Sequence, residues 1–328
     1  MRIGLIGYGG VGKAFIRLLK EKNIGCEVVF ILNSKGGIID DNGLNLEDIL
    51  VFENNIRNHE SWNEGLTYSD LLDKNIDFLV ELTPTNKETG EPALSYIKYA
   101  LKNKVNVVTG NKGPILNAYI ELKNLADENN VNLGIGCTTG GALPSISGGL
   151  IDCAGSDIIS IEGILNGTTN YILKEMEDKN ISYSESLKSA QELGIAETNP
   201  SLDVEGYDTA TKMIILANVL MGANINIKHV NILGITKISL DEINKAKLEN
   251  KKIKLLGRAY RKDNEIYVSV CPTKLSEEHP LYLVDGKNKG VYYNTDTLGD
   301  ITIIGGASGT RNAAASILRD IINIHNKF

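Results

Sequence analysis

A doubly wound, mostly parallel α/β domain, followed by a second region of α+β character, is the fold class that the sequence predicts. Three observations carry it. Short apolar runs alternate with amphipathic segments through the first half of the 328 residues, the pattern of repeated β-α units. A glycine-rich turn, Gly7-Tyr8-Gly9-Gly10-Val11-Gly12, lies directly between the first such run and the first such segment. Near Gly136 the regular alternation ends. The length permits two domains, each with its own core.

Taken in order, Ile3–Ile6 reads as a buried strand and Val11–Lys22 as a helix with Ala14, Phe15, Leu18 and Leu19 on one face. Cys26–Leu32 is the second strand, and Phe78–Leu82 and Asn106–Thr109 are two more, separated by the helical pattern of Pro92–Lys102. The helix Ala118–Asn129 leads to the strand Asn132–Ile135. Beyond the Gly/Thr-rich turn Cys137–Gly141, Ser160–Leu165 opens a different region. Helices are expected there at Tyr171–Glu177, Tyr183–Leu193 and Tyr207–Leu220, with strand segments at Asn231–Ile235 and Lys254–Val270. Ile301–Ile304 precedes the glycine turn Gly305–Gly309 and a final helix, Asn312–Asn323. A single closing helix is too short to be a domain, so it is expected to pack back on the first one.

Composition excludes several classes. A net charge of −7 argues against nucleic acid, which demands a clustered Lys/Arg face. Cys26, Cys137, Cys153 and Cys271 are far apart in sequence, which fits reduced thiols better than a disulfide frame or a zinc site. The four histidines are scattered. No stretch approaches about 18 uninterrupted apolar residues, and Gly7–Gly12 follows the first strand too closely for a signal peptide. A cytoplasmic protein without membrane contact is expected.

The glycine turn matches G-x-G-x-x-G between a strand and a helix, the context that makes a Rossmann-type dinucleotide site. Free N–H groups and the positive end of the helix dipole hold pyrophosphate there, and the glycines let it approach. Gly7, Gly9, Gly10, Val11 and Gly12 are therefore assigned to the cofactor. At the tip of the second strand stand Asn33, Ser34 and Lys35, where a carboxylate would select NAD by holding its ribose. Its absence, with one cation present, favours NADP(H), with NAD(H) as the alternative; a solvated Lys35 would leave both cofactors acceptable. Thr83 and Lys112 follow later strands, at the end where ligands bind in parallel sheets. Lys112 is a candidate to reach nicotinamide or substrate, or else an ordinary surface lysine.

The second region holds the most specific stretch. Asn166-Gly167-Thr168-Thr169-Asn170-Tyr171 ends a strand and starts a helix, and Glu197, Asp203, Asp208 and Lys212 follow. On a helix Asp208 and Lys212 share a face. A surface ion pair would be worth only a few tenths of a kcal/mol. Three carboxylates around one lysine suggest more: they can bind a substrate ammonium group while Lys212 handles the proton of an alcohol.

With these motifs in hand, the chain resembles the homoserine dehydrogenase family. The resemblance rests on the opening G-x-G-x-x-G, T-G-N-K-G-P at 109–114, N-G-T-T-N-Y-I at 166–172, A-E-T-N-P-S-L-D-V-E-G-Y-D-T-A-T-K at 196–212, and the closing glycine turn and helix. It implies interconversion of L-homoserine and L-aspartate 4-semialdehyde by a homodimer. It implies a nucleotide-binding domain of residues 1–135 with 305–328, and a catalytic, substrate-binding and dimerisation domain of 136–304. By the same resemblance Lys212 is the proton donor and Lys112 stands beside nicotinamide and substrate. Glu197 and Asp208 bind substrate, Asp203 and Thr168 line its pocket, and Gly309 joins Gly9, Gly10, Val11 and Thr83 around the cofactor.

Two positions depart from the family pattern. A glutamate that helps hold a monovalent cation is replaced by Gly136, which leaves backbone carbonyls at Thr139, Gly141 and Leu143 as ligands for sodium. Asn199 replaces an aspartate before Pro200. The competing functions are a related dehydrogenase for another amino or hydroxy acid, and a catalytically silent nucleotide-binding protein.

Overall fold

The computed structural model of the chain describes residues 1–327; Phe328, the last residue of the expected return segment, lies outside the described residues. The chain divides into two compact units, Met1–Thr138 with the segment from Gly309 onward, and Thr139–Ser308. Among the described residues no helix is long and apolar enough to cross a membrane.

The first unit is built on seven strands: β1 (Arg2–Ile6), β2 (Glu27–Asn33), β3 (Gly36–Ile39), β4 (Asn63–Glu64), β5 (Phe78–Glu81), β6 (Asn106–Thr109) and β7 (Leu133–Gly134). Their spatial order is β4-β3-β2-β1-β5-β6-β7. β1 pairs in parallel with β2 on one side and with β5 on the other. The strand order therefore reverses at β1, the switch point where doubly wound sheets bind ligands at their carboxyl ends. The glycine turn after β1 occupies that position. Helices α1 (Gly10–Lys22), α2 (Leu46–Val51), α3 (Ala93–Lys102) and α4 (Lys112–Glu128) complete the unit together with the closing helix, Thr310–Asn326. Ala14, Phe15, Leu18 and Leu19 of α1 share one apolar cluster with Ala314, Ile317, Leu318 and Ile321 of the closing helix.

The second unit carries a six-stranded sheet. Its strands are β8 (Ile158–Ile164), β9 (Asn231–Ile232), β10 (Lys251–Lys262), β11 (Glu265–Ser276), β12 (Lys289–Thr295) and β13 (Asp300–Gly305), ordered β13-β12-β8-β10-β11-β9. Pairing is antiparallel except between β11 and β9. The one-turn α5 (Cys137–Gly140) and α6 (Ser145–Ser147) lead in. They are followed by α7 (Gly167–Lys179), α8 (Tyr183–Glu192), α9 (Ser201–Val204), α10 (Tyr207–Leu220) and α11 (Leu240–Leu248). Helices α7, α10 and α11 pack on β10, and Met213, Ile214 and Leu216 make α10 the most buried of them.

The structure departs from the sequence reading in three places. Lys254–Val270 is a hairpin, β10–β11, turned at Asp263 and Asn264, both with positive φ, as a tight turn between twisted strands requires. Residues 36–77, which carry no clear periodicity, form β3, β4 and α2 on an antiparallel extension of the sheet. The fourth helix starts at Lys112, not Ala118; Ala118 is only a kink inside it (φ −148°, ψ 25°). Gly113-Pro114 reads as a breaker, but proline is tolerated in the first helical turn, where its missing N–H has no partner to lose.

Candidate active site

In the first unit the glycines earn their places by distance. A side chain on Gly12 would begin 2.2 Å from the Gly7 carbonyl oxygen. Gly7 has φ +100°, and a side chain there would meet the Leu82 carbonyl at 2.4 Å. Gly9, the N-cap of α1, has nothing within 4 Å of its absent side chain. The first turn of α1 thus opens its N–H groups onto free space, as pyrophosphate requires. Gly7, Gly9, Gly10 and Val11 line a cleft of about 820 Å³ that also includes Asn33, Ser34, Lys35, Thr83 and Arg57. These residues fit a dinucleotide.

Lys35 sits on a two-residue turn between β2 and β3, where Asn33 pairs with Gly36. The turn is fixed by the Lys35 N–H donating to Asn33 Oδ1 at 2.8 Å. Arg57 contributes a second cation to the cleft wall. It belongs to a single helical turn, Ile56–Asn58, in the part of the chain where sequence periodicity is silent.

Buried Glu81 organises the loops after β5 and β6. It accepts from the Thr83 N–H at 2.8 Å, from the Thr83 hydroxyl, and from the Thr109 hydroxyl at 2.7 Å. Burial pushes its pKa up, and these hydrogen bonds from Thr83 and Thr109 oppose the rise. The Asn111 N–H donates to Thr109 Oγ1 at 2.9 Å, and the Asn111 side chain caps α4 by accepting from the Gly113 N–H at 3.0 Å. Lys112 is therefore not a loop lysine: it is the half-buried first residue of a capped helix. Gly309 caps the closing helix at φ +128°, next to Thr310, whose methyl lies 3.0 Å from where a Gly10 side chain would begin.

In the second unit Asn166 is the keystone. Its side-chain oxygen caps α7 by accepting from the Thr169 N–H at 2.9 Å. Its amide nitrogen donates to Asp203 Oδ1 at 2.7 Å and to Asp208 Oδ2 at 3.0 Å. Lys212 Nζ lies 2.6 Å from Asp208 Oδ2 and donates to the Leu165 carbonyl at 2.8 Å. The lysine and aspartate side chains are only 13% and 14% exposed, so this is not a solvated surface pair. An ammonium has three donors, and two of those on Lys212 are engaged.

Glu197 stands on an exposed loop held by Gln191, which donates to the Glu197 and Thr198 carbonyls. Spacing shows which residues share a helix, and Glu197 precedes α9 and α10. The Thr168 hydroxyl donates to the Ile195 carbonyl at 3.1 Å and so braces the loop that carries Glu197. Asn199 Oδ1 accepts from the Ser201 N–H at 3.3 Å and from its hydroxyl at 2.8 Å at the start of α9. The bridging by Asn166 was missed, although its place at a strand–helix junction marked it as a cap.

The monovalent-cation site implied by the resemblance does not fit these residues. A side chain at Gly136 would begin 2.7 Å from Asp320 Oδ1, and the Gly136 N–H donates to Asp320 Oδ2 at 2.7 Å. Burial raises the pKa of that aspartate. The Leu143 carbonyl accepts from Ser145 N–H at 2.8 Å. The Gly140 carbonyl accepts from the Lys289 ammonium. A second cation about 4 Å from an ammonium is repelled by about 4 kcal/mol at an effective dielectric constant of about 20.

Comparison with known proteins completes the picture. Two family models match: homoserine dehydrogenase, NAD binding domain, over residues 7–135, and homoserine dehydrogenase over residues 144–322. The homoserine dehydrogenase of Methanocaldococcus jannaschii is 39% identical over 99% of both chains. The NAD(+)-dependent homoserine dehydrogenase of Pseudomonas canavaninivorans is 35% identical over 99% of this chain and 96% of its own. A hyperthermophilic archaeal homoserine dehydrogenase mutant, solved in complex with NADPH, superimposes with TM-score 0.84 at 29% identity, covering 100% of this chain and 98% of that one.

Proposed function

The chain belongs to the homoserine dehydrogenase family, and from that premise we propose how its own residues carry the reaction. It is an NAD(P)-dependent oxidoreductase that interconverts L-homoserine and L-aspartate 4-semialdehyde. The comparisons favour neither a related dehydrogenase for another substrate nor a silent nucleotide-binding protein. When bound, the nicotinamide supplies or accepts the hydride at the aldehyde carbon. The third donor of Lys212 gives its proton to the aldehyde oxygen in reduction and takes it back in oxidation. Asp208 orients that ammonium, and Asn166 holds Asp208 and Asp203 for the amino group of the substrate. In this reading Glu197 serves the same amino group from its exposed loop. Lys112 serves at the head of α4, and Gly9, Gly10, Val11 and Gly309 hold the cofactor.

The observation that carries this reading is the Asn166–Asp208–Lys212 chain of short contacts. Lys212→Ala should lower turnover by roughly two orders of magnitude or more while NADPH still binds. A variant with near wild-type turnover would remove Lys212 from the mechanism. Absorbance at 340 nm with L-homoserine and other hydroxy amino acids tests the substrate.

NADP(H) is the preferred cofactor in this reading. Lys35 and Arg57 line the cleft, and the turn after β2, Asn33-Ser34-Lys35, itself carries no carboxylate to repel a 2′-phosphate. Lys35→Glu should shrink the preference; tighter NAD(H) than NADP(H) binding by the unmodified protein contradicts it. The assembly is a homodimer formed through the second unit, whose edge strand β13 leaves Ile304 47% exposed. Light scattering that reads one 35.7 kDa chain instead of two would reject it.

A further inference from the structure

Lys289 is the first residue of β12, and it is 3% exposed. A lysine at a strand end has a long, flexible stem and every opportunity to place its charge in water. This one turns inward and donates to the carbonyl of Gly140. The same ammonium lies 3.4 Å from where a side chain on Gly141 would begin, and Gly141 has φ +61°. The Ala307 carbonyl oxygen is 3.9 Å from that point. The surrounding backbone is closely packed, since a side chain on Gly306 would begin 2.3 Å from Leu143 N. Thr139 and Ser145 hydroxyls pair 2.8 Å apart at the base of the loop. A positive charge has thus been taken out of water and seated against the Gly140 carbonyl, which is costly unless the site satisfies it.

We propose that the Lys289 ammonium is a tethered monovalent cation for the loop 139–143: it does for the Gly140 carbonyl and its loop what a dissolved alkali ion would do. An ammonium and an alkali ion carry the same charge and are both satisfied by oxygens. The tether removes the need for any particular salt. Lys289 is a positioning residue; it acts through the loop and on no reacting atom. The assignment is independent of which substrate the enzyme turns over.

Thermal unfolding in sodium, potassium, ammonium and tetramethylammonium chloride at matched ionic strength tests it, with turnover as a second readout. The unmodified protein should show the same midpoint and turnover in all four salts. Lys289→Ala should lower the midpoint by roughly 5 °C, and ammonium, sodium or potassium should restore it saturably, whereas tetramethylammonium, too large for the site, should not. Lys289→Gln keeps a neutral donor for the Gly140 carbonyl, so it separates charge from hydrogen bonding even if the alanine variant fails to fold. Recovery of the glutamine variant by small cations supports the proposal. A glutamine variant that matches wild type in every salt overturns it, and so does a steep, saturable sodium requirement in the unmodified protein.

Discussion

Glu81 stands at the carboxyl end of β5 with no exposed surface, and two loops near the nucleotide cleft hang from its two oxygens. Asn166 does the same in the second unit, with two aspartates hanging from one amide. In both places a single buried polar residue sets the position of groups assigned to binding, and losing it would take a hydrogen bond from each of its partners. Glu81 adds a pH dependence. Burial raises its pKa in the folded state, so the folded chain holds that proton more tightly than the unfolded chain does. The stabilisation this brings is complete below the ordinary glutamate value of about 4.3 and is lost as pH rises through the raised value. Glu81→Gln does not titrate. Wild type should therefore lose stability relative to the variant as pH rises from about 4, read from urea midpoints across the range. A difference that stays constant would mean Glu81 titrates alike in both states.

Among the elements, those with strong periodicity were legible and those held by tertiary packing were not. The face of α1 could be read because Ala14, Phe15, Leu18 and Leu19 recur at helical spacing. Asp208 and Lys212 could be paired because one helix carries both. Arg57 and the strands β3 and β4 escaped notice: a two-residue strand and a single helical turn are too short to show a period. Spacing gives no account of a loop's path, so the exposed loop that carries Glu197 was not legible. The start of α4 was hidden by Gly113 and Pro114, and it is the element whose position matters most for Lys112. A side chain on Gly113 would begin 2.2 Å from the Asn86 carbonyl oxygen, so the loop after β5 is packed directly on the first helical turn. Gly113→Ala should cost about 1–3 kcal/mol through that overlap and displace Lys112. A lower unfolding midpoint together with lower turnover is expected; an unchanged pair of values would show that the Asn86 loop yields freely.

At the scale of the whole molecule, the chain leaves its first unit at Thr138 and comes back to it at Gly309. The return is not decorative. Ala314, Ile317, Leu318 and Ile321 of the closing helix are buried in the cluster formed by α1 and the central strands. Fully burying a side chain of leucine or isoleucine size is worth roughly 1.5–3 kcal/mol, so the three large ones together contribute about 5–9 kcal/mol. That is comparable with the total stability of an ordinary domain, about 5–15 kcal/mol, even though such burial figures are upper bounds. A fragment of residues 1–138 would expose the same face of α1 to water and lose most of its margin. It should unfold without a cooperative transition and fail to bind NADPH, whereas 1–138 joined through a short flexible linker to 309–328 should melt cooperatively and quench NADPH fluorescence on binding. The nucleotide-binding unit would then be complete only after the segment beginning at Gly309 has been made, with residues 139–308 lying between its two parts in sequence. Cooperative melting of the bare 1–138 fragment at the midpoint of the joined one would show that the closing helix adds surface cover and no more.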